Sequence, residues 1–109
     1  MSKWIPTSGF YPKGFLLGSI SSGVKKESKP DLTLVLSESP CTAAGVFTKN
    51  TFAAAPVQVC RSLLQDPNQA VHALLVNSGC ANACTGEQGL KDAMMLSKLA
   101  HPSTPALVM

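Results

Sequence analysis

The sequence has few aromatic and few charged residues. Of 109 residues, 6 % are aromatic and 14 % are charged, and the formal net charge is +3. Arg61 is the single arginine, and the only lysine cluster, at Lys25, Lys26 and Lys29, is interrupted by Glu27. Because binding to a phosphate backbone needs basic side chains gathered on one face, we expect no nucleic-acid partner.

Long apolar runs are absent as well. No stretch approaches the ~20 apolar residues that a membrane-spanning helix requires. The first residues, Met1 to Pro6, contain neither the apolar core of a secretory signal nor an arginine-rich presequence. We therefore expect a soluble intracellular protein with no membrane partner.

The cysteines form no recognised metal-binding or redox motif. Three residues separate Cys80 from Cys84, whereas two separate the cysteines of common zinc and redox motifs. The two histidines, His72 and His101, complete no ligand set with them. We therefore expect no metal and no bound cofactor, and we interpret the cysteines as buried reduced thiols of a reducing compartment.

The residues that are present can form one small core. Apolar residues make up 45 % of the sequence, and this length corresponds to about one domain. Periodicity and turn residues predict the following elements. Strands are expected at Phe15–Ile20, Asp31–Leu36, Thr42–Phe47, Pro56–Cys60 and Ala70–Val76, a turn at Ser37–Pro40, a helical turn at Arg61–Gln65, and the start of a strand in Pro105–Met109.

A helix is expected after Thr85. Thr85, Gly86, Glu87 and Gln88 match the capping box, in which a hydroxyl and a glutamine three residues later bond each other's backbone N–H groups. An apolar stripe at i, i+3, i+4 spacing follows, and His101-Pro102 ends the helix. The stripe consists of Leu90, Ala93, Met94, Ser97 and Ala100. Strands and helix together predict a mixed α/β (α+β) fold.

The ten residues Asn77–Gly86, NSGCANACTG, are the most distinctive part of the sequence. One interpretation is a tight strand–loop–helix connection in which Asn77 and Asn82 bond local backbone. The other is a wall of an active site, with Asn77, Ser78, Gly79 and Asn82 near the substrate. Backbone rich in small residues can approach a ligand closely.

No catalytic group can be assigned from the residues alone. Cys80 or Cys84 with His72 would be a formal nucleophile–base pair, but His72 lies in the middle of an expected strand. The acidic residues are dispersed and do not form a pair suited to acid–base catalysis. Gly79 and Gly86 lack the Lys-Ser/Thr continuation of a phosphate-binding loop.

The sequence resembles the ornithine acetyltransferase family of arginine biosynthesis. The resemblance rests on NSGCANACTG with Glu87–Leu90 after it, and on segments that occur in the family's order. These segments are Tyr11–Phe15, Gly23–Lys25, Asp31-Leu32, Ala43–Asn50 and Ala54–Val57. Cys80 stands where many bacterial members have Asn, so the chain is closer to the fungal-type branch.

The resemblance implies acetyl transfer from N-acetylornithine to glutamate, and in some members acetyl-CoA is a further donor. Family precursors cleave themselves before a threonine, which then acts as nucleophile with its own amine as base. That threonine belongs to a β chain, the expected partner of this α-chain portion. The family's oxyanion-hole Thr-Gly follows a stretch like Ala106–Met109. We therefore assign no catalytic residue to this chain and expect it to be inactive by itself.

The sequence ends inside an apolar run at Pro105–Met109, whereas natural termini are usually frayed and solvated. We therefore expect residues 1–109 to be one incomplete domain, the amino-terminal part of a layered sheet-and-helix sandwich. The resemblance also implies the mitochondrial matrix as the location, with the cytoplasm as the alternative. The competing function is a non-catalytic product or interaction module that needs a partner chain.

Overall fold

The structure, a computed structural model, describes residues 5–6, 12–23, 29–79, 82, 85–99 and 105–109. Five strands and two helices form in these residues, so the expected mixed α/β class is confirmed. In chain order they are β1 (Ile5–Pro6), β2 (Phe15–Ile20), β3 (Leu32–Cys41), α1 (Ala55–Leu63), β4 (Val71–Asn77), α2 (Gly86–Leu99) and β5 (Leu107–Val108). No helix in these ranges is both long enough and apolar enough to span a bilayer.

The strands form one mixed sheet in the order β1-β2-β3-β4-β5. The first four are antiparallel to their neighbours, and β5 is parallel to β4. A parallel neighbour requires a crossover connection, and α2 lies in that connection. Leu75 stands opposite Leu34 on one side and Val108 on the other, so β4 is an interior strand between β3 and β5.

Three strand predictions are confirmed. The expected strand at Phe15–Ile20 is β2, that at Asp31–Leu36 is the first part of β3, and that at Ala70–Val76 is β4 within one residue at each end. The apolar run at Pro105–Met109 contains β5. In these strands, leucine and β-branched side chains fill a pleated surface.

The predicted turn at Ser37–Pro40 is wrong, because β3 continues through Cys41. Its pairing with β4 changes register between Leu36 and Cys41. Ser37 Oγ donates to the Ser39 carbonyl at 2.6 Å and also contacts Cys41 Sγ at 3.0 Å. An irregularity of this kind accommodates a proline inside a strand, so turn-forming residues here bend the strand and do not end it.

The predicted strand at Thr42–Phe47 is also wrong, because no regular element forms between β3 and α1. Val46 in this segment is fully exposed. Local bonds fix the segment instead: Thr48 Oγ1 accepts from the Asn50 N–H, and Asn50 Oδ1 accepts from the Phe52 N–H. Arg61 of α1 donates to the Thr48 carbonyl and lies over the Phe47 ring.

The predicted strand at Pro56–Cys60 is a helix, α1, which also includes part of the helical turn expected at Arg61–Gln65. Pro56 lies in the first turn, where the missing N–H costs nothing and the fixed φ favours helix. The strand-like alternation of Val57 and Val59 extends over only five residues, which is too short to exclude a helix. The buried positions, Ala55, Pro56, Val59 and Cys60, have helical spacing.

The helices pack against each other and against the edge of the sheet. Ala55, Val59 and Ala93 are buried together, with Leu63 and Leu90 packed around them. Ala93 and Ser97 of the predicted apolar stripe are buried, whereas Met94 is 45 % exposed. Ala100, the last member of the stripe, and His101-Pro102, the predicted helix stop, lie outside the described residues.

The outer edge of β5 is bonded by one side chain from each helix. The Cys60 thiol of α1 donates to the Val108 carbonyl at 3.0 Å and accepts from the Val108 N–H at 3.2 Å. Ser97 of α2 donates its hydroxyl to the Ala106 carbonyl at 2.5 Å, and the Ser97 carbonyl accepts from the Ala106 N–H at 2.8 Å. Every one of these backbone groups would otherwise be an unpaired group at a buried strand edge.

Burial raises the pKa of the Cys60 thiol, although the hydrogen bond from Val108 acts in the opposite direction. The thiol is therefore protonated at neutral pH and available as a donor. The prediction of buried reduced thiols is confirmed for Cys60, and Cys41 is free but only half-buried. Cys80 and Cys84 lie outside the described residues.

We predict that Cys60→Ala loosens β5, because both backbone groups of Val108 lose their partner in a dry environment. Such a loss costs about 1–3 kcal/mol, so amide exchange in residues 105–109 should accelerate by roughly 10- to 100-fold. Hydrogen–deuterium exchange with mass spectrometry measures this. Cys60→Ser is the matched control, because its hydroxyl can donate and accept at the same place. Equal exchange in both variants would show that the thiol does not hold the edge.

Both faces of the sheet are apolar, and only one is well covered. Val71, Ala73, Leu75 and Val108 are buried, but the alternate residues His72, Leu74, Val76 and Leu107 are only half-buried. Leu16 on β2 is 53 % exposed. Exposed apolar surface of this extent is typical of a surface that another layer of protein covers.

We predict that residues 1–109 alone form aggregates in solution, because apolar side chains of the sheet such as Leu16 are exposed. Size-exclusion chromatography with light scattering should show a mixture of large species. Leu16→Lys, which places a charge on the sheet, should increase the monomer fraction. Val46→Lys adds the same charge away from the sheet and should have a smaller effect. A single monomeric peak with a cooperative thermal transition would contradict the prediction.

Candidate functional site

A cleft of about 660 Å³ lies at the carboxyl ends of the parallel strands β4 and β5. In sheets with parallel strands this edge is the usual position for ligands. Side chains from β3, β4, β5, both helices and two connections meet here. They are Ser22, Leu32, Pro56, Asn77, Asn82, Thr85, Gln88, Gly89, Asp92, Ala93, Leu96 and Val108.

Backbone hydrogen bonds fix the strand end at Asn77 and Ser78. The Asn77 N–H donates to the Met109 carbonyl at 2.9 Å, and the Ser78 N–H donates to the Asp31 carbonyl at 2.8 Å. Residues 77 and 78 therefore join β5 on one side and the start of β3 on the other. Asn77 is half-buried in the cleft wall, and Ser78 and Gly79 are exposed.

Asn82 connects the beginnings of both helices. Its carbonyl accepts from the Ala55 N–H of α1 at 3.2 Å, which satisfies one of the unpaired donors at that helix start. Its side-chain amide donates to the Gly89 carbonyl of α2 at 2.8 Å. Asn82 adopts a positive φ of 49°, a conformation that asparagine tolerates better than most residues.

The predicted capping box at Thr85–Gln88 does not form. The Thr85 hydroxyl bonds the side-chain oxygen of Asn82, and the Gln88 amide donates to Asp92 Oδ1 at 2.9 Å, one turn further along the helix. The asparagine at position 82 takes the hydroxyl that a capping box would use. The prediction that a helix begins after Thr85 is nevertheless confirmed.

Gly89 is needed for this arrangement, and it is buried. A Cβ at this position would collide with the Thr85 hydroxyl and with the Asn82 side-chain oxygen. The close approach of Asn82 and Thr85 to the first turn of α2 therefore requires glycine. Gly79 and Gly86 have positive φ values of 95° and 65°, so the connection between β4 and α2 uses glycine at both of its ends.

The four predicted near-site residues thus fall into two groups. Asn77 and Asn82 line the cleft, and Ser78 and Gly79 continue the strand end beside it. The side chain of Asn82 is engaged by Thr85 and Gly89, so the connection interpretation holds for that residue. The interpretation of Asn77, Ser78, Gly79 and Asn82 as the wall of an active site stays a prediction.

The formal cysteine–histidine pair is not tested, because Cys80 and Cys84 lie outside the described residues. His72 lies on β4 and does not line the cleft, and its predicted place inside a strand is confirmed. It borders a smaller hollow of about 230 Å³ together with Cys41 and Ser37. Among the residues that the structure describes, no three His, Cys, Asp or Glu side chains come close enough to hold a metal ion.

Three residues at the cleft carry no site signal in the sequence: Asp31, Ser22 and Asp92. Ser22 and Asp92 line the cleft, and Asp31 lies directly behind Ser22. Asp31 is only 3 % exposed, which is unusual for an aspartate. The position of Asp31 at the start of an expected strand is the only local sequence signal for it. The residues that it bonds, Ser22 and Ser78, are distant from it in sequence.

Comparison with known proteins supports a single family. Residues 16–106 match the ArgJ family. The chain is 55 % identical over 100 residues to the mitochondrial arginine biosynthesis bifunctional protein ArgJ of Schizosaccharomyces japonicus, covering 91 % of this chain and 23 % of that protein. It is 54 % identical over 101 residues to the ArgJ of Neurospora crassa, covering 90 % of this chain and 22 % of that protein.

Solved structures agree. Ornithine acetyltransferase from Mycobacterium tuberculosis, complexed with ornithine, matches with a TM-score of 0.77 and 35 % identity, over 89 % of this chain and 55 % of that chain. ArgJ from Bacillus halodurans matches with a TM-score of 0.76 and 30 % identity, over 98 % of this chain and 60 % of that chain. The chain spans about a quarter of the length of the curated relatives it matches. The chain belongs to the ArgJ family.

Proposed function

We propose that this chain acts as the amino-terminal part of an ArgJ-type enzyme that transfers an acetyl group from N-acetylornithine to glutamate. Its relatives are named as bifunctional proteins of arginine biosynthesis, and a structural neighbour is an ornithine acetyltransferase that holds ornithine. Acetyl-CoA is a second candidate donor. The mitochondrial matrix is the proposed location, in line with the names of the fungal relatives.

One hydrogen bond in the structure supports the proposed acetyl-transfer function. The Asn77 N–H donates to the Met109 carbonyl at 2.9 Å, so the distinctive decapeptide and the end of β5 meet at the cleft. The family resemblance implies that the oxyanion-hole Thr-Gly follows a stretch like Ala106–Met109. In a longer chain that segment would leave β5 beside Asn77 and enter the same cleft.

The role that we assign to this chain is therefore to hold the acyl-transfer site in place. An oxyanion hole works only when its donors are held where charge develops in the transition state, and each donor is worth about 2.7–4 kcal/mol. The strand end at Asn77–Ser78 is bonded on both sides, so it can hold a following segment firmly. The self-cleaved threonine nucleophile and a β chain from the same precursor complete the proposed enzyme.

A hybrid protein tests the proposal. Residues 1–109 replace the matching segment of the Schizosaccharomyces japonicus relative, and the products are measured with N-acetylornithine and glutamate as substrates. We expect ornithine and N-acetylglutamate in equal amounts from the hybrid. Residues 1–109 alone should give no turnover, because the nucleophile is absent from them. Replacing N-acetylornithine by acetyl-CoA in the same assay tests the second donor.

The controls separate function from folding. The relative without its own amino-terminal segment should be inactive, and mixing it with residues 1–109 tests whether the two associate. A soluble hybrid that cleaves itself but transfers no acetyl group would contradict the proposal. The exposed apolar sheet favours the alternative, a non-catalytic module that binds a partner chain; association without restored activity would support that alternative.

A further inference from the structure

We propose that Asp31 is a positioning residue for the cleft: its buried carboxylate holds Ser22 at the rim, and its backbone holds the strand end at Ser78. The inference rests on the proposed function, because it assigns a role within that same site. Asp31 itself does not line the cleft, so any effect on the reaction passes through Ser22 and Ser78.

The Asp31 carboxylate bonds Ser22 in the β2–β3 connection. Asp31 Oδ1 accepts from the Ser22 N–H at 2.7 Å and from the Ser22 hydroxyl at 2.6 Å. Hydrogen bonds to a carboxylate are short and about twice as strong as neutral ones. Because Ser22 gives its hydroxyl hydrogen to Asp31, its oxygen lone pairs remain for a donor in the cleft that Ser22 lines.

The backbone of the same residue joins two strands. The Asp31 N–H donates to the Ile20 carbonyl at 3.0 Å, and the Asp31 carbonyl accepts from the Ser78 N–H at 2.8 Å. The neighbouring Asn77 N–H bonds Met109. One residue that is 3 % exposed therefore fixes the β2–β3 connection relative to the end of β4, and through Asn77 relative to β5.

Simple hairpin stability does not require a carboxylate at this place. The same hairpin is already closed by six residue pairs between β2 and β3 and by the Ser19–Thr33 hydroxyl contact at 3.0 Å. In the register of β3, Thr33 lies on the face opposite Leu32, which lines the cleft. Thr33 thus offers a hydrogen bond in the same hairpin, with no contact to the cleft.

The test compares variants in the hybrid protein. Asp31→Ala should lower kcat/KM by about 10- to 100-fold, because displacements near 1 Å at a catalytic site have effects of that size. Asp31→Asn should stay within about threefold of the parent, since the carboxamide oxygen still accepts from Ser22. Thr33→Val is the matched control and should leave kcat/KM unchanged. All rates are expressed per folded molecule, with thermal unfolding measured in parallel.

Hydrogen exchange at Ser78 supplies a readout that is independent of activity. Asp31→Ala keeps the backbone carbonyl that bonds Ser78 but loses the carboxylate that ties residue 31 to Ser22. Exchange at the Ser78 amide should therefore accelerate by about tenfold or more, and Asp31→Asn should restore protection. Unchanged kcat/KM in Asp31→Ala would overturn the inference, as would equal losses in Asp31→Ala and Thr33→Val. An inactive parent hybrid would contradict the proposed function alone. Exchange at Ser78 then decides this inference: acceleration in Asp31→Ala supports it, and no change overturns it.

Discussion

The outer edge of β5 is the constraint on which the rest of the structure depends. β5 has only two residues, and so short a strand has little stability of its own. It is held on its inner side by β4 and on its outer side by Cys60 of α1 and Ser97 of α2. These bonds remove the open edge, and they also fix both helices relative to the sheet. The cleft exists because α2 is thereby held beside the carboxyl ends of β4 and β5.

Asn82 joins the two helices to each other at their amino-terminal ends. Its carbonyl bonds the start of α1, and its side chain bonds the first turn of α2. The buried Gly89 allows that contact to be close. The decapeptide is therefore distinctive for two separate physical reasons. Its first residues end a strand at the cleft, and its later residues, with Gly89, bring two helix starts together. Packing constraints and site geometry act on the same ten residues, so composition alone could not separate them.

The sequence predicted those elements whose apolar residues extend over a full strand or helix. β2 was identified as an apolar segment between turn residues, β4 as an apolar segment after a turn, and α2 by an apolar stripe at helical spacing. Pro56–Cys60 failed because five residues fit either period and because proline suits both a strand start and a helix start. Ser37–Pro40 failed because Ser37 pairs with Phe15 of β2 and Cys41 pairs with Val71 of β4, and this strand pairing overrides the local turn preference. The cleft could be located only through the decapeptide, and Asp31 could not be found because its partners, Ser22 and Ser78, depend on strand register.

In the proposed enzyme, this segment supports the acyl-transfer site and a different segment supplies the nucleophile. Acyl transfer depends on donors held in place before the reaction begins, and rigid strands hold groups more accurately than loops do. The strand end at Asn77 and Ser78 is bonded to β5 and to Asp31, so movement there must break bonds on two sides. The same sheet leaves apolar side chains such as Leu16 exposed. Further chain that covers the cleft itself would exclude water from it and strengthen every electrostatic contact there. In the proposed enzyme, completing the fold and completing the active site are therefore the same step.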